Sequence, residues 1–222
     1  MVPTVLHEKA LLTLGLCLGL LLLGPFVPGT LTSMSFATIG VGTAFILSKE
    51  RTLSRRVILL FSSAVVFVVV FAKLIPSGAP SYIRVAVGIT ALGLTMALYG
   101  VSAVLILSAL LKAKQVTHDL IISAVNLYII LGVFWAHVYS ILNWFHPEAF
   151  GLNVEESSSV SHFIYFSFVT LATLGYGDIT PKTEFAQRLA ILEAIMGQFY
   201  GSVVVAYLLS VYIGRIIRRD QG

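Results

Sequence analysis

Long apolar stretches recur along this chain, separated by short polar or charged segments. Six of them are long enough to consider as membrane spans: Leu11–Val27, Met34–Ser48, Val57–Ile75, Tyr82–Leu111, Val116–Trp144 and Phe185–Ile217. A helix that crosses a bilayer needs about 20 mostly apolar residues. The pattern therefore predicts an all-α membrane protein with six transmembrane helices, the second being the shortest and rich in Gly and Thr.

A seventh apolar stretch, Val160–Leu171, is too short to cross a membrane. Three serines precede it, Ser157–Ser159, and a serine before a helix satisfies its first N–H groups. A short helix of this kind fits a re-entrant element, which is tolerated at membrane depth only where protein surrounds its ends. We therefore predict a re-entrant helix between the fifth and sixth spans.

The composition agrees with a protein embedded in a lipid bilayer. The chain has 222 residues, of which 58% are hydrophobic and 11% charged, whereas soluble domains carry about 25% charged residues. Most basic residues lie between the spans or near their ends, where a net charge of +4 fits a membrane surface, so we predict no nucleic-acid partner. The single cysteine, Cys17, and five scattered histidines show no ligand spacing for a resident metal. No nucleophile and base are paired either, so the sequence predicts neither an enzyme nor a cofactor.

The loop charges predict the orientation of the chain. With both termini in the cytoplasm, the cytoplasmic loops and ends hold most of the basic residues: Lys9, Lys49, Arg51, Arg55, Arg56, Lys112, Lys114, Arg215, Arg218 and Arg219. The outer side holds Lys73, Arg84, Lys182 and Arg188. An excess of Lys and Arg on the cytoplasmic side is the usual rule. We therefore predict a multi-pass protein of the cell membrane.

The fourth span carries too little charge to sense voltage. A voltage sensor moves several arginines of one helix through the membrane field. Within Tyr82–Leu111 the only charged residue is Arg84, near the predicted outer end. The fourth span is therefore predicted to lack strong voltage sensing.

The segment Thr173–Asp178 follows the re-entrant stretch and contains Gly175 and Gly177. Glycine reaches positive φ without a steric cost. Alternation of glycine with larger residues therefore allows successive carbonyls to point to one side. Four such strands around an axis would form rings of oxygens that replace the water shell of a potassium ion.

The six residues Thr-Leu-Gly-Tyr-Gly-Asp resemble the selectivity-filter signature of potassium channels, Thr-Val-Gly-Tyr-Gly-Asp, with Leu174 in place of valine. The resemblance covers residues 118–222 and is to the pore-loop, voltage-gated-like superfamily, of prokaryotic type. It implies a homotetramer in which carbonyls of Thr173, Leu174, Gly175 and Tyr176, up to Gly177, coordinate K+. It also implies a sensor-like domain over 1–115 and a pore domain over 116–222.

The resemblance extends to the last span. Gly197 lies at the position of the gating-hinge glycine in potassium-channel inner helices, although glycine is also common in membrane helices for packing. At helical spacing, Gln198, Gly201, Val205 and Leu209 share a face with it. By resemblance, this face lines the cavity and the gate.

Two acidic residues are predicted to support the filter. Asp178 ends the motif, and Glu193 is the acidic residue inside the last predicted span. Ionisable residues within spans are costly and are functional candidates. Glu193 is predicted to be either a structural tie behind the filter or a proton sensor, with His137 and Asn126 as possible partners.

Further acidic residues precede the re-entrant stretch: Glu148, Glu155 and Glu156. They either raise the cation concentration at an outer mouth or form a solvated loop. The sequence as a whole predicts a channel that conducts K+ passively. The alternative is a non-conducting scaffold or modulatory subunit of other channels.

Overall fold

A computed structural model describes residues 14–15, 18–19, 80–113, 116–151 and 160–220. Some of the predicted features lie outside these residues, wholly or almost wholly: the spans over 11–27, 34–48 and 57–75, the serines at 157–159, and Glu155 and Glu156.

The described chain is helical, and its helices bear out the later half of the predicted pattern. They are α1 (Ser81–Lys112), α2 (His118–Phe145), α3 (Val160–Leu171), α4 (Glu184–Phe199), a π-helical segment (Tyr200–Val204) and α5 (Val205–Asp220). Three stretches are long and apolar enough to cross a membrane: Ala86–Lys112, Leu120–Phe145 and Glu184–Ile213. They correspond to the predicted fourth, fifth and sixth spans, and α3 has the bounds predicted for the re-entrant stretch. The described residues contain no strand.

The chain divides into two compact units, Met1–Ile106 and Leu107–Gly222, and the division falls within α1. The predicted domain boundary between residues 115 and 116 stays a prediction. The predicted site residues all belong to the second unit, which is the one described from here on.

Threonine side chains fix where two helices of this unit begin. Thr117 Oγ1 accepts a hydrogen bond from the Leu120 N–H at 3.3 Å, and Thr183 Oγ1 accepts one from the Ala186 N–H at 3.4 Å. Both threonines have extended backbones, as N-cap residues do. The start of α4 is therefore set shortly after Asp178, which places the predicted filter between two well-defined helix ends.

An aromatic core holds α2, α3 and the start of α4 together. Tyr139 of α2 packs edge-on against Phe166 of α3, with ring centroids 5.0 Å apart, and Phe150 contacts both rings from the loop after α2. That loop is itself tied to the chain after the filter, because the Lys182 N–H donates to the Ala149 carbonyl at 2.8 Å. Buried aromatic pairs of this kind stabilise by about 0.5–1.5 kcal/mol beyond their area. The short helix α3 is therefore packed through aromatic side chains against α2 and the loop that follows it.

Candidate functional site

The backbone of the predicted filter alternates in conformation. Thr173, Gly175 and Gly177 have φ of 58°, 60° and 79°, while the residues between them keep negative φ. An alternation of left- and right-handed residues turns successive peptide carbonyls toward the same side of the strand. The positive φ expected at the two glycines is therefore present, and the coordination of an ion by their carbonyls stays a prediction.

Hydrogen bonds anchor the first half of this segment to the end of α3. The N–H groups of Leu174 and Gly175 both point to the Val169 carbonyl, at 2.9 and 3.4 Å. These two N–H groups are thereby directed into the protein. Because the N–H and C=O of a trans peptide point in opposite directions, the carbonyls of Thr173 and Leu174 are directed away from the Val169 carbonyl.

The positive φ of Thr173 is a feature that sequence reasoning missed. A β-branched residue at positive φ is a genuine outlier, and such strain costs about 1–3 kcal/mol. Its N–H donates to the Thr170 carbonyl at 2.9 Å, which continues the turn at the end of α3. No local sequence signal distinguishes this threonine from one in ordinary extended backbone.

Asp178 is hydrogen-bonded to a side chain of α3. The Tyr165 hydroxyl donates to Asp178 Oδ2 at 2.6 Å, and the Ile179 N–H donates to Oδ1 at 2.9 Å. The Tyr165 hydrogen bond holds the pKa of the Asp178 carboxyl below its usual range, and the same bond raises the pKa of the Tyr165 phenol. The aspartate therefore links the outer end of the predicted filter to the helix that precedes it.

The filter side chains lack cover within one chain. Leu174 is 57% exposed and Tyr176 66% exposed. Within one chain, neither side chain is therefore packed behind the predicted filter. Of the aromatic residues of α3, Phe163 and Phe166 are buried, and Tyr165 donates to Asp178.

Glu193 is fully buried and joins three helices. Its Oε2 accepts a hydrogen bond from the Tyr139 hydroxyl of α2 at 2.6 Å, and its Oε1 lies 2.5 Å from Ser167 Oγ of α3. These two hydroxyls were not among the partners suggested from the sequence, His137 and Asn126. His137 bonds through Nδ1 to the Val133 carbonyl of its own helix at 2.8 Å, and Asn126 is buried on α2.

Ser167 also contacts α2 through a glycine. Its Oγ lies 2.7 Å from the Gly132 carbonyl, and a Cβ built on Gly132 would lie 2.6 Å from the Phe168 ring. The absent side chain therefore permits α3 to cross α2 closely. Sequence reasoning overlooked Ser167, Tyr139 and Gly132, because their importance comes from contacts between residues far apart in sequence.

Gly197 provides a second close crossing, between α4 and the end of α3. A Cβ at this position would lie 2.1 Å from the Leu171 carbonyl oxygen. The structure thus supplies a packing reason for this glycine. Its role as a hinge stays a prediction.

The π-helical segment changes the face that continues from Gln198. A π turn takes in one more residue than an α turn, and one residue corresponds to about 100° of an α-helix. Gln198 and Gly201 are exposed. Beyond the π segment, the positions that continue the direction of Gln198 are displaced by one residue, from Val205 and Leu209 to Ala206 and Ser210.

Val205 and Leu209 border an apolar groove of about 480 Å³ between α5 and α2, and their predicted place on the cavity face stays a prediction. Tyr200 and Tyr128 also line it, with ring centroids 5.3 Å apart. The Tyr200 hydroxyl donates to the Ala124 carbonyl, which ties the π-helical segment to α2. Tyr200 is therefore another residue whose role was not evident from the sequence.

Residues 124–213 match the ion channel family. This channel-like segment contains α3, the predicted filter, Glu193 and the π-helical segment. The matched family is one of channels, a kind of protein that is not an enzyme. Together with the three apolar helices of this chain, the match indicates a membrane protein. In the described part of the chain, no group of three or more His, Cys, Asp or Glu side chains could hold a metal ion.

A curated relative supports the same class. The chain is similar to Two-pore potassium channel 2 of Arabidopsis thaliana, with 30% identity over 73 residues, which is 33% of this chain and 16% of that protein. The chain thus matches about a sixth of that relative's length. No solved structure matches the chain.

Proposed function

We propose that this protein is a potassium-selective channel that conducts K+ passively through a filter formed by Thr173–Gly177. The observation that carries the proposal is the alternating φ of Thr173, Gly175 and Gly177. It directs the carbonyls of one strand to one side, and a ring of such carbonyls replaces the hydration shell of K+. The similarity to the ion channel family and to a potassium channel supports the same function.

The filter is completed by four copies of the chain, because one chain supplies one strand and a potassium filter uses four. Exposure supports this assembly. In the most apolar stretch of Glu184–Ile213, only 17% of the residues are buried within the chain, compared with 67% in that of Leu120–Phe145. Leu174 and Tyr176, which are also exposed, are covered by the neighbouring copies.

The conduction path continues along one face of the last span. In our proposal this face consists of Gln198, Ser202, Ala206 and Ser210, because the π-helical segment displaces the register after residue 199. Each of these residues is exposed in the single chain. The path below the filter is thereby lined with small and polar groups.

The channel opens without steep voltage dependence. Steep opening uses about 3–4 gating charges in each of four subunits. The sequence of α1 contains Arg84 and, at its last residue, Lys112 as its charged residues. These are too few for a sensor of that kind.

The test is potassium and sodium flux from purified protein in liposomes, with mass measurement in detergent for the fourfold assembly. Gly175→Ala should abolish selective flux, because Ala resists the φ of 60° at this position. Gly93→Ala is the matched control. A Cβ meets nothing within 4 Å at either glycine, but Gly93 lies in a helix.

Equal potassium and sodium permeability in the wild type would contradict potassium selectivity. Selective flux that is unchanged in Gly175→Ala would contradict the filter assignment. An assembled protein without flux would favour the alternative, a non-conducting scaffold or modulatory subunit.

A further inference from the structure

The strongest unexplained feature is the set of short oxygen contacts around Ser167. Ser167 Oγ lies 2.7 Å from the Gly132 carbonyl oxygen and 2.5 Å from Glu193 Oε1. Glu193 Oε2 lies 2.6 Å from the Tyr139 hydroxyl oxygen. Three oxygen pairs are therefore in hydrogen-bond contact, and each pair requires one hydrogen between its members.

The side chains other than Glu193 supply only two hydrogens. The Gly132 carbonyl is an acceptor, and the hydroxyls of Ser167 and Tyr139 carry one hydrogen each. If Glu193 were ionised, one pair of oxygens would face each other without a hydrogen. A proton on Glu193 Oε1 supplies the third hydrogen and satisfies all three contacts.

We infer that Glu193 carries a proton and donates a hydrogen bond to Ser167, and that the Ser167 hydroxyl in turn donates a hydrogen bond to the Gly132 carbonyl. The direction of these hydrogen bonds follows from the acceptor at the end of the series. The Gly132 carbonyl only accepts, so Ser167 must donate to it, and Ser167 must then accept from Glu193. Tyr139 donates to the other carboxyl oxygen.

The surroundings of Glu193 favour the neutral form. The carboxyl is fully buried, and a charge removed from water is costly unless it is paired. Among the described residues, the hydroxyls of Ser167 and Tyr139 are hydrogen-bonded to it, and the Tyr128 phenol of α2 interacts with it electrostatically. None of these supplies a positive charge.

This inference rests on the proposed function and assigns Glu193 as a positioning residue of the filter. Ser167 lies two residues before Val169, whose carbonyl receives the N–H groups of Leu174 and Gly175. By fixing Ser167 against α2, the Glu193 proton fixes the rotation of α3. The rotation of α3 in turn sets the direction of the Val169 carbonyl and of the filter strand attached to it.

Infrared difference spectroscopy of the full chain in lipid vesicles at neutral pH tests the inference. The wild type minus Glu193→Gln spectrum should contain the carbonyl band of a protonated carboxylic acid, which shifts on deuteration. The Glu193→Gln variant should keep selective flux close to that of the wild type, because the new side-chain amide donates to Ser167 and accepts from Tyr139. A carboxylate band in place of the acid band would overturn the inference.

A second variant tests the direction of the chain. Ser167→Ala removes the acceptor of the Glu193 proton, so the acid band should move to higher frequency, whereas Ser161→Ala in the first turn of α3 is the control that should leave it in place. An acid band that does not move in Ser167→Ala would overturn the inferred hydrogen bond from Glu193 to Ser167. The spectrum does not depend on ion flux. An acid band in a protein that does not conduct would therefore contradict the proposed function alone.

Discussion

Replacement of Gly197 by alanine offers the sharpest test of how the last span is packed. The new Cβ would lie 2.1 Å from the Leu171 carbonyl oxygen, 2.9 Å from its carbon and 3.1 Å from Cα, whereas ordinary contact begins at 3.4 Å. The obstructing atoms are the backbone of α3, so no change of rotamer relieves the overlap. The two helices must move apart, and the filter strand that follows Leu171 must move with α3.

The net cost can be bracketed. Overpacking of a well-packed interior costs about 1–3 kcal/mol, and alanine recovers about 1 kcal/mol of helix propensity relative to glycine. We therefore expect a loss of up to about 2 kcal/mol per chain, which corresponds to roughly 4–8 °C in unfolding temperature for a protein of this length. Selective flux should fall as well, because the displaced backbone leads directly into Thr173.

The assay is thermal unfolding in detergent together with potassium flux, with Gly201→Ala as the matched control. A Cβ on Gly201 meets nothing within 4 Å, so this variant should unfold at or above the wild-type temperature. A Gly197→Ala protein that is as stable as the wild type would refute the packing argument. If its opening were altered at unchanged stability, the result would favour the hinge interpretation.

Two further predictions concern the ends of the proposed conduction path. The Tyr165 hydrogen bond lowers the pKa of Asp178. The stabilisation that this bond gives to the filter is therefore present at neutral pH and is lost as the pH falls through that lowered pKa. Tyr165→Phe should therefore lose flux at a higher pH than the wild type in an acid titration, and equal midpoints would contradict the role of this bond. In a cysteine-free background, a charged thiol reagent should block flux through Ala206→Cys more rapidly than through Val205→Cys, and the opposite order would reject the displaced register.

Much of the described secondary structure was predictable because local rules determine it. The apolar runs predicted α1, α2 and the last span to within a few residues, and the bounds of Val160–Leu171 were correct. The two glycines of the filter motif predicted backbone of positive φ, and both have it. In these cases the preference belongs to the residue itself or to its neighbours along the chain.

Other features were decided only by packing between distant residues. The positive φ of Thr173 opposes the preference of threonine and follows from the hydrogen bonds that end α3. The hydrophobic pattern of the sequence does not reveal the π-helical segment. Its turn contains one additional residue, and Val205 and Leu209, which follow it, border the groove beside α2.

Glu193 shows the division most clearly. Its position within an apolar span marked it as a functional candidate, since an ionisable group at membrane depth is costly. Its partners, Ser167 and Tyr139, lie 26 and 54 residues away in the chain. Hydrophobic periodicity determines which face of a helix is buried, but the groups that meet a buried carboxyl depend on how three helices cross, and only the tertiary structure decides that.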